Sequence, residues 1–305
     1  MLAREERHAV AGSLEIRAAL LDAVRRFFRS AGYLEVDTPA LSRHALPEVN
    51  IEPIVCPDFG VLLPSPELFM KQLLAKGYEK IFQICKCFRA GEIGTRHRQE
   101  FTMLEWYRKQ ANYWNLMEEC EALIAFIANS FAPKIKPTRK GKTVAIIPPF
   151  ARMEMKEAFA SFAPYSLSQA LNSSCFDEIF ATTVEPRLPR EEALFLWGYP
   201  AEGFAKTQSD APAFAERFEL YIGGLEIANG CSEIETEQEN TSAIKRSLAQ
   251  RATSGKKLNS LPPFYASNYQ LPPSAGCALG IDRLVMLFAG EEDIGSVLAF
   301  DEFAR

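Results

Sequence analysis

The sequence predicts an α+β fold, an antiparallel β-sheet flanked by helices. Three observations predict it. Strand-like segments come in neighbouring pairs, 80–89 with 100–108 and 217–222 with 225–229. The second pair is joined by Gly223-Gly224, which suits a two-residue hairpin turn. No βαβ series with a glycine fingerprint appears.

The elements follow in order. Ile16, Ala19, Leu20, Ala23, Val24 and Phe27 recur at three- and four-residue steps, so 14–31 reads as a helix with one apolar stripe. Ser13 is positioned to cap it and Gly32 to end it. Tyr33 to Asp37 reads as extended and stops at Thr38-Pro39. A polar loop, AGEIGTRHRQ, joins the first strand pair, and a helix follows over 113–131. The segment PKIKPTRKGK is basic and proline-broken, which suits a surface link. It also reads KPTRKGKT, the ending of a phosphate-binding loop, but the leading glycine and the preceding strand are missing. Residues 151–215 look helical, 236–256 form a charged helix, and 259–275 are loop-like with two Pro-Pro pairs. Gly276, Gly280 and DRLVMLFAG read as a tight strand-to-helix turn.

A length of 305 residues allows one large domain or two smaller ones, with a core that needs no disulfide or metal staple. With 48% hydrophobic and 24% charged residues, a disordered or fibrous chain is excluded. The net charge of −5, from 34 basic and 39 acidic residues, argues against a surface that mostly grips nucleic acid, though not against a local basic groove. Seven scattered cysteines include a Cys85-x-Cys87 pair that lacks zinc-knuckle spacing. They read as reduced, buried thiols of a cytoplasmic protein. The start MLAREERHAV has no apolar leader core, and no apolar run approaches the ~18 residues of a membrane span.

Chemistry concentrates in three places. The Gly-Gly turn would pair Ile222 with Leu225, Tyr221 with Glu226 and Glu219 with Ala228. Alternation then puts Glu219, Tyr221, Glu226 and Ala228 on one face, near Asn229 and Glu233. Two carboxylates so placed suit Mg²⁺, or else are unrelated groups on a solvated strand face. On the first strand pair, Gln83 shares parity with Arg89, and Phe101 with Glu105 and Tyr107. These offer a phosphate fork, a flat ring and an ammonium acceptor, or a cross-strand salt bridge with core packing. Arg96, His97 and Arg98 on the loop reach a polyphosphate or are simply solvated. Gly276, Ala278 and Gly280 leave room for a ligand beside the backbone before Arg283 opens a helix, an arrangement also common in ordinary turns.

Taken together and in order, RRFFRSAGYLEVDTP, FRAGEIGTRHRQEFTMLEWY and GCALGIDRLVMLFAG resemble the three signature motifs of class II aminoacyl-tRNA synthetases. The resemblance runs from Leu14 to Phe300 and is weakest across 135–215. It is closest to the lysyl branch, through SPELFMK at 65–71, EFTMLEWY at 100–107 and ERFELYIGGLEIANGCSE at 216–233. It implies one catalytic domain over 1–305, with 135–215 a mostly helical insertion, and a homodimer built on the first motif. That motif lies within the first 40 residues, so no N-terminal oligonucleotide-binding barrel and no tRNA anticodon contact are expected. Lysyl synthetases usually have glycine where this chain has Ala278. Both features are similar to the stand-alone elongation factor P lysine ligases. That family uses ATP to activate (R)-β-lysine and transfers the β-lysyl group to a lysine ε-amine of elongation factor P. The alternatives are a truncated synthetase-like enzyme with another acceptor, such as tRNA, and a non-catalytic regulatory paralogue.

The resemblance also implies roles. Arg89 would contact the α-phosphate of ATP, with Arg89 and Arg283 as the catalytic arginines. Phe101 and Arg283 would sandwich adenine, and His97 would lie near the phosphates. Ala90, Gly91, Glu92, Arg98, Ile227 and Gly280 complete the ATP site. Glu219 and Glu226 would hold Mg²⁺, with Glu226 also at the nucleotide. Ser65, Pro66, Glu67, Glu105, Tyr107, Asn229, Glu233 and Ala278 would form the amino-acid pocket. Two positions depart from the family pattern. Gly91 stands where many members have glutamate, followed here by Glu92, and Arg98 stands where lysyl-like members have asparagine. Arg98 either strengthens phosphate binding or reshapes the loop.

Overall fold

A computed structural model describes residues 4–131, 134–201, 203–256 and 260–302, with side chains from Gly12 onward. The leader-free reading of residues 1–10 therefore falls partly outside the described residues.

The first helix, α1 (Arg4–Ser30), starts earlier than its apolar stripe suggests. Ser13 lies inside it and is buried, so it is no cap. Gly32, at φ +78°, ends the helix, and its N–H donates to the Arg29 carbonyl. Next come β1 (Leu34–Glu35), β2 (Leu41–Ser42), β3 (Ile54–Cys56), β4 (Gly60–Leu62) and α2 (Glu67–Ala75). Both predicted strands of the first pair form, as β5 (Lys80–Phe88) and β6 (Glu100–Lys109), and the predicted helix forms as α3 (Tyr113–Phe131).

The region read as a surface link and a mostly helical insertion differs. It holds a hairpin, β7 (Thr138–Arg139) and β8 (Lys142–Thr143), then β9 (Ala151–Glu154). Only then come α4 (Met155–Phe162), α5 (Leu167–Asn172) and α6 (Phe176–Ile179), followed by β10 (Ala193–Trp197). Ala-Leu-Phe-Leu-Trp is a short unbroken apolar run, which periodicity cannot separate from buried helix. The hairpin β11 (Arg217–Ile222) and β12 (Leu225–Ser232) forms as expected. After it come α7 (Glu237–Thr253), a short α8 (Pro263–Ser267) within the presumed loop, β13 (Ser274–Gly280) and α9 (Ile281–Ala289).

The main sheet runs β1-β5-β6-β13-β12-β11-β10-β9. Its inner pairings are antiparallel, but β1 on β5 and β9 on β10 are parallel, so the sheet is mixed rather than antiparallel throughout. The α+β class stands. The parallel partners are short edge strands whose pairing no local pattern reveals. The strands β2-β4-β3 form a smaller sheet.

Period-two alternation divides the main sheet. Leu104 and Trp106 of β6, Phe218 and Leu220 of β11, and Cys277 and Leu279 of β13 join one core. That core is closed by Leu20, Val24 and Phe28 of α1, Leu116 and Ile124 of α3, and Leu284 and Leu287 of α9. The alternate residues, Glu105, Tyr107, Glu219 and Ala278, face the cavity described below. Among the described residues no helix is long and apolar enough to cross a membrane.

The hairpin register departs from the simple expectation. Ile222 pairs Leu225 and Tyr221 pairs Glu226, but a bulge follows, so Leu220 faces Ala228 and Glu219 faces Asn229. Ile227 is the extra residue, and it enters the core together with Ala228. Ala228 therefore does not share a face with Glu219.

Two glycines permit close layers. A Cβ on Gly230 would lie 2.6 Å from the Phe218 ring, and one on Gly276 would lie 2.2 Å from the Tyr107 ring. Tyr107 is buried and hydrogen-bonded to Glu105, so the ring can give way only toward the cavity it lines. Gly276→Ala should cost about 3 kcal/mol through overpacking. It should also push the Tyr107 ring into the cavity described below. A wild-type urea midpoint in the variant would contradict this packing.

Candidate active site

The polar face of the sheet opens into a cavity of about 500 Å³. Its deep end is a carboxylate cluster around one buried lysine. Glu67 opens α2, and Lys71 follows one helical turn later on the same face. Lys71 Nζ lies 2.5 Å from Glu67 Oε1 and 2.5 Å from Glu233 Oε2 beyond the end of β12. Burial opposes its charge, but Glu233 and Glu67 together raise its pKa well above the ordinary value. Beside this trio, Glu105 is 2% exposed; its Oε1 accepts the Tyr107 hydroxyl and its Oε2 the Ser65 hydroxyl, each at 2.7 Å. Burial, with Glu67 nearby, pushes Glu105 up to about 7. Burial also lifts Glu233 to about 7 against the pull of Lys71, and Glu48 to about 7. Four carboxylates thus gather around Lys71, with Arg217 and Arg89 also acting on Glu48. Ala278 sits between Glu105 and Asn229 as the cross-strand partner of both.

The other end is built from arginines. Arg89 follows β5, and its guanidinium lies 5.0 Å from the centre of the Phe101 ring. Its Nε is buried with no acceptor among the described residues, an unmet donor beside an open cavity. Arg283, in the first turn of α9, donates to Glu226 Oε2 at 3.1 Å and to the Glu226 carbonyl at 2.8 Å. Its other nitrogen lies 2.6 Å from His97 Nε2. Burial, then Arg283, lowers the His97 pKa. Arginine only donates, so Nε2 accepts and the His97 proton sits on Nδ1. Next to Arg283, Asp282 accepts the Thr102 N–H at 2.7 Å and pairs with Arg17, fixing α9 to β6 and α1.

Between the two ends stand Glu219 and Glu226. Glu219 Oε2 accepts the hydroxyls of Tyr199 and Tyr221 at 2.7 Å each. Its Oε1 accepts from Arg217 at 2.6 Å and Asn229 at 3.3 Å. Burial and then the charge of Glu226 raise the Glu219 pKa. Burial works against the charge on Glu226 too, but Arg283 outweighs it and lowers that pKa.

Of the residues singled out from sequence, the cavity brings together Ser65, Glu67, Glu105, Tyr107, Asn229, Glu233 and Ala278 with Arg89, Glu92, His97 and Phe101. Glu219, Glu226, Ile227, Gly280 and Arg283 line it as well. Pro66, Ala90 and Gly91 do not. Pro66 turns the chain into α2, Ala90 donates its N–H to the Glu52 carbonyl, and Gly91 serves a turn at φ +80°. Arg98 borders the cavity, but its guanidinium is taken up by Asp301 at 2.8 and 2.5 Å and by Asp293 at 3.2 Å. These contacts fit the reading in which Arg98 shapes the loop. Sequence reasoning missed Lys71, Glu48 and Arg217. The i+4 spacing from Glu67 to Lys71 and the i+2 spacing from Arg217 to Glu219 were available signals. Glu48 lies in a loop without period. Among the described residues no group of three or more metal-binding side chains is assembled.

The family described as tRNA synthetases class II (D, K and N) matches residues 2–303. Proteins named elongation factor P--(R)-beta-lysine ligase, from Salmonella paratyphi A and Salmonella dublin, are each 32% identical over 308 residues, covering 93% of both chains. The Salmonella arizonae protein of that name is 32% identical over 307 residues, also covering 93% of both chains. The chain belongs to the class II tRNA synthetase (D, K and N) family.

Proposed function

We propose that the chain is an ATP-dependent ligase that activates (R)-β-lysine as an adenylate and transfers the β-lysyl group to a lysine of elongation factor P. One observation carries it. A buried, unmatched arginine donor over an aromatic ring shares a cavity with a carboxylate excess, so the site is short of both an anion and a cation. A diamino acid joined to a nucleotide phosphate supplies both.

The substrate carboxylate attacks the α-phosphorus of ATP, the bond to the bridging oxygen breaks, and pyrophosphate leaves. Arg89 neutralises charge growing on the α-phosphate, while Phe101 and Arg283 bracket the base. Glu67 and Glu233, spaced by Lys71, hold one substrate ammonium, and Glu105 with Ser65 and Tyr107 holds the other. The acceptor amine then attacks the mixed anhydride, an amide forms, AMP leaves and the amine gives up a proton. No protein nucleophile takes part.

Glu219 and Glu226 fit Mg²⁺ as crowded oxygen donors. Glu226 Oε1 has no hydrogen-bond donor among the described residues, and Glu219 would release Asn229, its longest contact at 3.3 Å. When bound, the ion would offset phosphate charge. One catalytic domain, homodimerisation through the first motif and a cytoplasmic location belong to the same reading. Seven free cysteines support a reducing compartment.

Incubation with ATP, (R)-β-lysine and elongation factor P should add one β-lysyl mass to that protein. Absence of both the mass shift and the adenylate would sink the proposal. Charging of tRNA in place of elongation factor P would move the acceptor to the synthetase-like alternative.

A further inference from the structure

A second cavity, of about 580 Å³, lies at the tip of the β11–β12 hairpin. The β7–β8 hairpin contributes Arg139, Lys140 and Lys142 to it, and the segment before β10 contributes Arg190. The Gly223-Gly224 turn makes room for them. A Cβ on Gly223 would lie 3.0 Å from the Arg139 stem, and one on Gly224 would lie 3.0 Å from the Arg190 stem. Arg139 is buried and paired with Glu292 at 2.9 Å. Lys140, Lys142 and Arg190 are exposed and make no ion pair among the described residues.

This basic surface is continuous with the active-site mouth. Gly223, in the turn, lines the second cavity, and Glu226, near the start of β12, lines the first. Arg139 feels the charges of both Arg190 and Arg96, and Arg96 lines the first cavity. An acceptor lysine is itself a cation and must pass Arg96 and Arg283. That rim repels a lone lysine but attracts one set among carboxylates. Glu191 and Glu192 line the same cavity, and Glu292 lies beside it. Interleaved acids disfavour a continuous phosphate backbone and tolerate discrete carboxylates.

We propose that the exposed Lys140–Lys142–Arg190 surface docks an acidic face of the protein acceptor, adjacent to the lysine to be modified. This rests on the function proposed above. The test is the variant Lys140→Glu/Lys142→Glu/Arg190→Glu, with Lys140→Ala/Lys142→Ala as a milder companion. β-Lysine-dependent pyrophosphate exchange should be unchanged in both, which also reports correct folding. The KM for elongation factor P should rise about tenfold in the triple variant and less in the double, with a weaker salt dependence than wild type. An unchanged KM and salt dependence, with wild type modifying elongation factor P normally, overturns the inference alone. So does competition by tRNA that the triple variant abolishes while its KM for elongation factor P stays at the wild-type value. A wild-type chain that exchanges pyrophosphate yet never modifies elongation factor P overturns the acceptor reading, and this inference with it.

Discussion

Arg89→Ala should lower β-lysine-dependent pyrophosphate exchange by about 10³-fold, the upper range for losing one preorganised donor to a developing oxyanion. The guanidinium is held over Phe101, and its Nε is buried without an acceptor among the described residues. A donor kept unmet in this way costs no reorganisation when phosphate charge develops. Lysine should not substitute, because a point charge cannot both stack on the ring and present a planar fork. The loss should fall on kcat, with the KM for the amino acid nearly unchanged, since the carboxylate cluster lies at the other end of the cavity. Exchange near the wild-type rate in Arg89→Ala would remove this residue from the chemistry.

Lys71→Met should be the second large effect. Lys71 is 2% exposed and ion-paired with both Glu67 and Glu233. Removing a buried partner leaves uncompensated carboxylates and costs about 3 kcal/mol, visible as a lower urea midpoint. A pH profile separates positioning from simple destabilisation. Glu105 and Glu233 have pKa values raised to about 7, and each must be ionised to hold a substrate ammonium. In wild type the KM for the amino acid should therefore fall as pH rises through about 7. Lys71 is the cation that lowers the Glu233 pKa against burial. Its loss moves that transition to higher pH, and Lys71→Arg should move it back. An unshifted profile in Lys71→Met would limit the lysine to a structural part.

What the sequence made legible follows from the range of the forces involved. β5, β6 and the Gly223-Gly224 hairpin depend on alternation and a local turn, so they could be read directly. The bulge at Ile227 could not, because its cause is core packing beneath the sheet, although it decides that Glu219 faces Asn229. β9 and β10 were hidden for another reason: they are short, and they pair in parallel across some forty residues of intervening chain. Most of the residues named from motif order do line the cavity. Lys71 was overlooked although its spacing from Glu67 was visible, because a buried lysine matters only once its second partner, Glu233, is brought in from β12. For Arg98 the two readings could not be separated, because its partner Asp301 lies far away along the chain.

That last contact gives the loop after β5 an anchor. Arg98 holds Asp301, and the Thr95 carbonyl accepts the Ile294 N–H at 2.8 Å. The segment that presents His97 to Arg283 is thereby latched to residues near the opposite end of the chain. A side chain suited to gripping a nucleotide thereby ties its own loop to the stretch from Asp293 to Asp301.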